Sequence, residues 1–268
     1  MEPSGRSAAV TGGADERVRG QVLRELGFAV ERAGVERLRG TAAVVPEVCV
    51  PGTALLRTSV LATWADTLTG LLAVDVVGPR VPVTLQLDVD LYAPPAGVER
   101  IVATASRLKV GKAVFVATVD FADQRERPLG RGTGLFMVSP DPAVRMPGGV
   151  NPVDALAEPG GPLRVPLAER VGCVRRSGSE AVLPRRVEGL NASGTVNGGL
   201  LALVVEEAAL AALPGSTLAS MALRFLRPVR VGPAVATAAV HGPLAEVTVR
   251  DEGRDGAVAV AATARPFT

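Results

Sequence analysis

The chain has 268 residues, of which 47% are hydrophobic and 21% charged, so it can bury a large core and lacks the composition of a disordered protein. Aromatic residues make up 3% and the formal charge is +2, which disfavours base stacking and a positive field, so we expect no nucleic-acid partner. One histidine and two cysteines are too few for a His/Cys zinc site, and we expect neither a metal nor a cofactor. The start carries no apolar signal segment and the longest apolar runs stay below the roughly 18 residues that span a bilayer, which predicts a reduced, cytoplasmic protein without a membrane partner.

The predicted elements of the first half begin with a leading amphipathic helix, carried by Val18, Val22, Leu23 and Leu26. Residues 60–74 are apolar on nearly every side, which is typical of a buried helix. Residues 81–91 then alternate strictly, and this predicts a strand with Val83 and Leu87 on its buried face and Thr84 on its wet face. A hairpin follows, from 114–121 back through 132–135.

The second half repeats this order. Six prolines and two Gly-Gly pairs in 139–162 predict a linker, which divides the chain into a first repeat, 1–138 with the leading helix, and a second, 163–268. An apolar helix over 200–213, a strand over 219–228 and a hairpin from 245–250 through 257–264 match their counterparts. We therefore predict an α+β fold in which each repeat wraps an antiparallel sheet around one apolar helix.

Two carboxylates lie inside these apolar helices, Asp66 in the first and Glu206 in the second. Asp66 follows Arg57 by nine positions, and Glu206 follows Asn197 by the same number. Nine residues of helix span about 13.5 Å and turn about 900°, so the two residues of each pair lie on opposite sides of one helix. If the repeats pack about a pseudo-twofold axis, each carboxylate instead faces the start of the other helix. The two composite sites would then be Asp66 with 197–199 and Glu206 with 57–59.

The first composite site has the groups needed for acyl transfer. Gly198 and Gly199 open a helix, where free N–H groups favour a negative oxygen and the missing side chains let a carbonyl approach. This backbone can serve as an oxyanion hole, with Asp66 as general base on water or as nucleophile. A thioester suits such a site, because its thiol, with a pKa near ~8.5 by analogy with cysteine, departs without a histidine acid.

The run that begins at Gly194, GTVNGGLLALVVEEAA, resembles the helix signature of the PaaI-like hotdog acyl-CoA thioesterases. That signature has His-Gly-Gly followed, nine residues after the histidine, by Asp or Glu. The resemblance spans roughly 40–138 and 165–268, and it implies a double hotdog with acyl-CoA bound between the repeats. It also implies that Asp66 and Glu206 are the acidic residues and Gly198 the oxyanion donor.

Both histidines of the family signature are replaced in this chain. Asn197 takes the place of one, where it can cap the helix or donate to a carbonyl, and Arg57-Thr58-Ser59 replaces the other His-Gly-Gly. We expect Arg57 to fill its pocket and pair with Glu206, which leaves one working and one degenerate site. Glu207 is expected at the solvent or at an interface. A non-catalytic acyl-CoA-binding or assembly protein remains the alternative function, and a hotdog dehydratase or hydratase is a weaker third.

Basic residues suggest where the phosphates of CoA would bind. Arg107, Lys109 and Lys112 lie near one predicted turn and include the only lysines of the chain. A second candidate patch consists of Arg224, Arg227 and Arg230. The single histidine, His241, is expected in a loop. A homo-dimer of double hotdogs is compatible with the sequence.

Overall fold

The computed structural model describes residues 20–146, 151–158 and 160–267, and within them one order of elements occurs twice. The first series is α1 (Gln21–Glu25), β1 (Ala29–Gly34), β2 (Arg37–Ala43), α2 (Thr58–Val77), β3 (Pro82–Leu91), β4 (Arg100–Val110), β5 (Val114–Ala122) and β6 (Pro128–Val138). The second is α3 (Leu167–Val171), β7 (Val174–Ser177), β8 (Glu180–Leu183), α4 (Gly198–Ala212), β9 (Leu218–Phe225), β10 (Ala234–His241), β11 (Leu244–Asp251) and β12 (Ala257–Pro266). Short 3-10 helices lie at Pro46–Val48, Asp154–Leu156 and Val187–Gly189.

All of these strands form one antiparallel sheet, in the order β1-β2-β4-β5-β6-β3-β9-β12-β11-β10-β8-β7. Equivalent strands occur at equal distances from the two edges, so the repeats are related by a pseudo-twofold axis between β3 and β9. These two strands pair directly, from Gln86 opposite Arg224 to Asp90 opposite Ser220. The predicted α+β fold, with each half of the sheet wrapped around an apolar helix, is confirmed.

The long helices α2 and α4 fill the inside of the sheet. Helix α2 packs against β2 to β6, α4 packs against β7 to β12, and the two helices contact each other. By length and composition α2 could cross a membrane, so the prediction that no apolar run reaches that length is wrong for this helix. Its apolar surface is explained by burial in the core, where Trp64 stacks on Phe28 with ring centroids 5.2 Å apart.

The alternation predicted for β3 breaks at its beginning. A β-bulge places Leu85 as an extra residue, since Thr84 pairs with Phe136 while Gln86 pairs with Leu135. Residues before the bulge are therefore turned over relative to those after it. Val83 is 37% exposed, and the Thr84 side chain points inward to α2. The predictions that Val83 is buried and that Thr84 faces solvent are therefore wrong.

The predicted boundaries between the repeats remain a prediction. The expected linker 139–162 contains the 3-10 helix Asp154–Leu156 in its described part, and its residues 147–150 and 159 lie outside the described residues. The leading helix is present as α1, whereas Val18 lies outside the described residues.

Candidate functional site

The carboxylate of Asp66 lies against the start of α4, across the junction between the repeats. A Cβ atom built on Gly198 would lie 3.1 Å from Asp66 Oδ2, so only a hydrogen at this position leaves the present spacing. Asp66 and Gly198 are both partly exposed, so solvent reaches both residues. The predicted juxtaposition of these two residues is present in the structure.

The first two amides of α4 have different surroundings. Asn197 is the N-cap, and its Oδ1 accepts a hydrogen bond of 2.8 Å from the Gly199 amide. The Gly198 amide forms no hydrogen bond with any described residue, as expected for the first N–H of a helix. Because the Gly199 amide is already bonded to the cap, Gly198 is the one of the two predicted oxyanion donors whose amide has no partner among the described residues. The oxyanion role of both glycines stays a prediction.

Gly199 has a packing role instead. A Cβ atom at this position would overlap Thr63 Oγ1 on the facing helix α2. The absence of a side chain therefore lets the two helices approach closely at the site. Of the two adjacent glycines, Gly198 faces Asp66 and Phe225, and Gly199 faces Thr63 on the neighbouring helix.

Thr84 is the hydrogen-bond partner of Asp66. Its Oγ1 donates to Asp66 Oδ1 over 2.9 Å, which leaves Oδ2 directed to the start of α4. Burial raises the pKa of Asp66 from 3.8 to about 6, and the hydrogen bond from Thr84 opposes that rise. A carboxylate with a pKa just below neutrality is mostly ionised at pH 7 and is still basic enough to accept a proton.

Phe225 is an apolar neighbour of Gly198. Its Cζ atom would lie 3.4 Å from a Cβ on Gly198. The ring comes from the end of β9, so its position depends on the pairing of β9 with β3. The sequence prediction missed both Phe225 and Thr84. The order of strands would have located Phe225. No sequence signal identifies the bulge that turns Thr84 inward.

The other composite site is filled by an ion pair. Arg57 Nη1 lies 2.9 Å from Glu206 Oε2, and the side chains are 0% and 1% exposed. Ser59 adds a hydrogen bond of 2.6 Å from its Oγ to the same oxygen. The predicted pairing of Arg57 with Glu206 is confirmed, and this carboxylate is buried whereas Asp66 is partly exposed.

The expectation that Glu207 would lie at the solvent or an interface is wrong. Its side chain is 7% exposed, and its two oxygens lie 2.6 Å from Arg57 Nη2 and 2.7 Å from Arg175 Nε. Strand β7, which carries Arg175, covers this side of α4. Burial disfavours the charged form of Arg57, but the attraction of Glu206 and Glu207 outweighs it and raises the pKa of Arg57.

The residues expected to bind phosphates lie away from Asp66. Arg107 has carboxylate neighbours, Glu36 and Asp75, each 3.7 Å away, whereas Lys109 and Lys112 are exposed and form no ion pair with a described residue. Lys112 borders an open cavity of ≈ 250 Å³.

That cavity is also lined by Val77, Arg80 and Phe136. Val77 follows Asp66 by eleven residues, so the cavity lies about 16 Å along α2 from the carboxylate. The second patch is partly neutralised, because Arg224 pairs with Asp88 at 2.6 Å. His241 ends β10 at the surface, and the described residues contain no cluster of three His, Cys, Asp or Glu side chains that could hold a metal ion.

Comparison with known proteins agrees with this architecture. The family model described as Thioesterase superfamily matches residues 58–129, which include α2 and Asp66. The 12:0-ACP thioesterase from Umbellularia californica is 15% identical, with a TM-score of 0.62 and coverage of 88% of this chain and 100% of that one. The chain has the double-hotdog fold, and part of its first repeat matches the thioesterase superfamily.

Two further structures resemble the double hotdog over most of its length. A putative oleoyl thioesterase from Lactobacillus plantarum is 14% identical, with a TM-score of 0.60 and coverage of 88% and 96% of the two chains. The tesB protein of Mycobacterium avium subs paratuberculosis is 15% identical, with a TM-score of 0.56 and coverage of 92% and 98%. No curated protein sequence matches the chain. At these identities the likeness concerns the fold.

Proposed function

We propose that this double hotdog hydrolyses acyl thioesters, with acyl-CoA as the substrate class, in the cytoplasm. One observation carries the proposal. The Asp66 carboxylate lies beside Gly198 across the junction between the repeats, both residues are partly exposed, and the Gly198 amide forms no hydrogen bond with a described residue. The match of residues 58–129 to the thioesterase superfamily supports the same reaction class.

In the proposed reaction, the thioester carbonyl binds with its oxygen at the Gly198 N–H. Asp66 takes a proton from a water molecule, whose oxygen attacks the carbonyl carbon. The negative charge that develops on the carbonyl oxygen is stabilised by the Gly198 amide and by the start of α4. The C–S bond then breaks and the sulfur leaves as a thiolate, which needs no strong acid because the pKa of the thiol is near ~8.5. The proton held by Asp66 passes to this sulfur, so the products are a carboxylic acid and a thiol, and the Asp66 carboxylate is restored.

Phe225 gives this site an apolar side. The acyl group next to the thioester can lie against its ring, which removes apolar surface from water. The exposed side chains of Lys109 and Lys112 are the candidates for contacts with the phosphates of CoA. Arg107 is a weaker candidate than the sequence predicted, because Glu36 and Asp75 already neutralise it.

The experiment is thiol release from a panel of acyl-CoA and acyl-ACP substrates of increasing chain length. The wild type should turn over at least one of them, and Asp66→Asn should lose at least about 100-fold in kcat, the usual contribution of a positioned general base. Asp120→Asn is the matched control, because Asp120 is exposed and pairs with Arg131 on the outer surface. Full turnover by Asp66→Asn would show that the base is another group.

The alternative is an acyl-CoA-binding protein without activity. It is favoured by the loss of both signature histidines and by the capping role of Asn197. Micromolar binding of acyl-CoA with no thiol release from any substrate would support this alternative.

Within the proposed hydrolysis, Asp66 could act as a nucleophile in place of a general base. A covalent acyl group on Asp66, detected by mass spectrometry after quenching, would show that this residue is a nucleophile.

A further inference from the structure

The β-bulge of β3 recurs at the equivalent position of β9. In β3 the extra residue is Leu85, and in β9 it is Ala219, because Pro266 pairs with Leu218 while Arg265 pairs with Ser220. The bulge therefore belongs to both repeats. Bulges turn side chains toward a site that the regular strand would leave facing away.

The residue that each bulge turns inward differs between the repeats. In the first repeat it is Thr84, whose hydroxyl donates to Asp66. In the second it is Leu218, which is 1% exposed and has no polar side chain. At this position the hydroxyl thus occurs in the repeat whose carboxylate is partly exposed, while the buried Glu206 receives its hydrogen bonds from Arg57 and Ser59.

We propose that Thr84 is a positioning residue, held by the bulge at Leu85 so that its hydroxyl fixes one oxygen of Asp66 and leaves the other beside Gly198 at the start of α4. This inference rests on the proposed function. A carboxylate bonded to water alone can rotate about its side-chain torsion and lose its orientation. The hydrogen bond to Oδ1 restricts that rotation and favours the ionised form that accepts a proton.

Within the part of the chain that the structure describes, no charged side chain competes with Thr84 for the carboxylate of Asp66. The start of α4 contributes Asn197 and two glycines, and β9 contributes Phe225. The charged residues of the surrounding elements are paired with one another or exposed. Arg224 pairs with Asp88, Arg131 pairs with Asp120, and Arg57 pairs with Glu206 and Glu207, while Asp90 is exposed. The pKa of Asp66 is raised by burial and lowered by Thr84, with no further charged contributor.

The test is a direct titration of Asp66, which needs no enzymatic activity. The protein is labelled with ¹³C at aspartate carboxyls, and the Asp66 signal is assigned by its absence in Asp66→Asn. Thr84→Val removes the hydroxyl with little change in shape, and Thr84→Ser keeps it. The matched control is Thr237→Val, because Thr237 is exposed in β10 of the other repeat.

We expect Thr84→Val to raise the pKa of Asp66 by about one pH unit, the effect of losing one hydrogen bond to a charged group, whereas Thr84→Ser and Thr237→Val stay near the wild type. With an active substrate, the acid limb of the pH profile should move upward by the same amount in Thr84→Val. Its kcat should fall about tenfold while KM changes little, because the change affects orientation of the base and not binding.

An unchanged titration of Asp66 in Thr84→Val would overturn the inference, even if the enzyme is active. Equal loss of activity at every pH, with Thr84→Ser as poor as Thr84→Val, would also overturn it by indicating a structural role. If the pKa shifts as expected but the wild type hydrolyses no thioester, the contact between Thr84 and Asp66 is established and the proposed function fails.

Discussion

Replacing Asp66 with asparagine is expected to stabilise the folded protein while removing its activity. Burial raises the pKa of Asp66 from 3.8 to about 6, because the folded state disfavours the ionised carboxylate. At 1.36 kcal/mol per pH unit, this rise corresponds to about 3 kcal/mol of destabilisation once the group is ionised. Asparagine has nearly the same shape, carries no charge, and can still accept the hydrogen bond from Thr84.

The stabilisation depends on pH in a defined direction. Below pH 3.8 the carboxyl is protonated in both states, so the wild type and Asp66→Asn should be equally stable. Between pH 3.8 and about 6 the folded state binds more protons than the unfolded state, so the wild type loses stability as the pH rises. Above about pH 6 the carboxyl is ionised in both states, and the difference in stability between the wild type and Asp66→Asn stays at its full value. Near neutral pH it should appear as a rise in Tm of roughly 6–12 °C for Asp66→Asn.

Urea unfolding at a series of pH values between 4 and 8 measures this difference directly. The exposed Asp120→Asn variant serves as the control, and it should change the free energy of unfolding by less than about 1 kcal/mol at every pH, as for other surface ion pairs. A constant difference between Asp66→Asn and the wild type across the series would refute the reasoning, because it would show that ionisation of Asp66 carries no cost in the folded state.

Three other outcomes are expected. Arg57→Met should lower the free energy of unfolding by at least about 3 kcal/mol in urea titrations, because it leaves two buried glutamates without their shared cation; equal stability would show that these carboxylates are neutral or hydrated. Gly198→Ala should reduce kcat/KM at least about tenfold without loss of Tm, because its Cβ lies next to the Asp66 carboxylate. Gly199→Ala should instead lower the free energy of unfolding by about 1–3 kcal/mol, because its Cβ overlaps Thr63. The double variant of Lys109→Ala and Lys112→Ala should raise KM roughly tenfold for acyl-CoA but not for acyl-pantetheine, which has no phosphate; equal effects on both would remove the lysines from the binding site.

Helix geometry made the approach of Asp66 to Gly198 predictable. The spacing of nine residues excludes a site within one repeat, and internal duplication supplies the symmetry that brings the two helices together. The same reasoning placed Arg57 beside Glu206. These predictions needed only the period of the helix and the equivalence of the repeats, and both can be read from sequence.

Other features depend on distances that sequence patterns do not determine. Thr84 faces inward because one extra residue in β3 reverses the alternation, and apolar periodicity is nearly unchanged by that insertion. Glu207 is buried because β7 covers it, and the pairing of that edge strand lies outside the helix pattern. The difference between the Gly198 and Gly199 amides follows from the cap formed by Asn197, which bonds the Gly199 amide and leaves the preceding Gly198 amide without a partner among the described residues.

The direct pairing of β3 with β9 has a consequence for how such a protein can change. In a symmetric homodimer every substitution appears twice, so an arginine that closes one site would close both. Here the two halves share one chain and one continuous sheet, and position 57 can carry arginine while its counterpart at 197 carries asparagine. Because the halves are covalently joined, their sequences can differ, so that a buried ion pair and a partly exposed carboxylate occupy equivalent places in the same molecule.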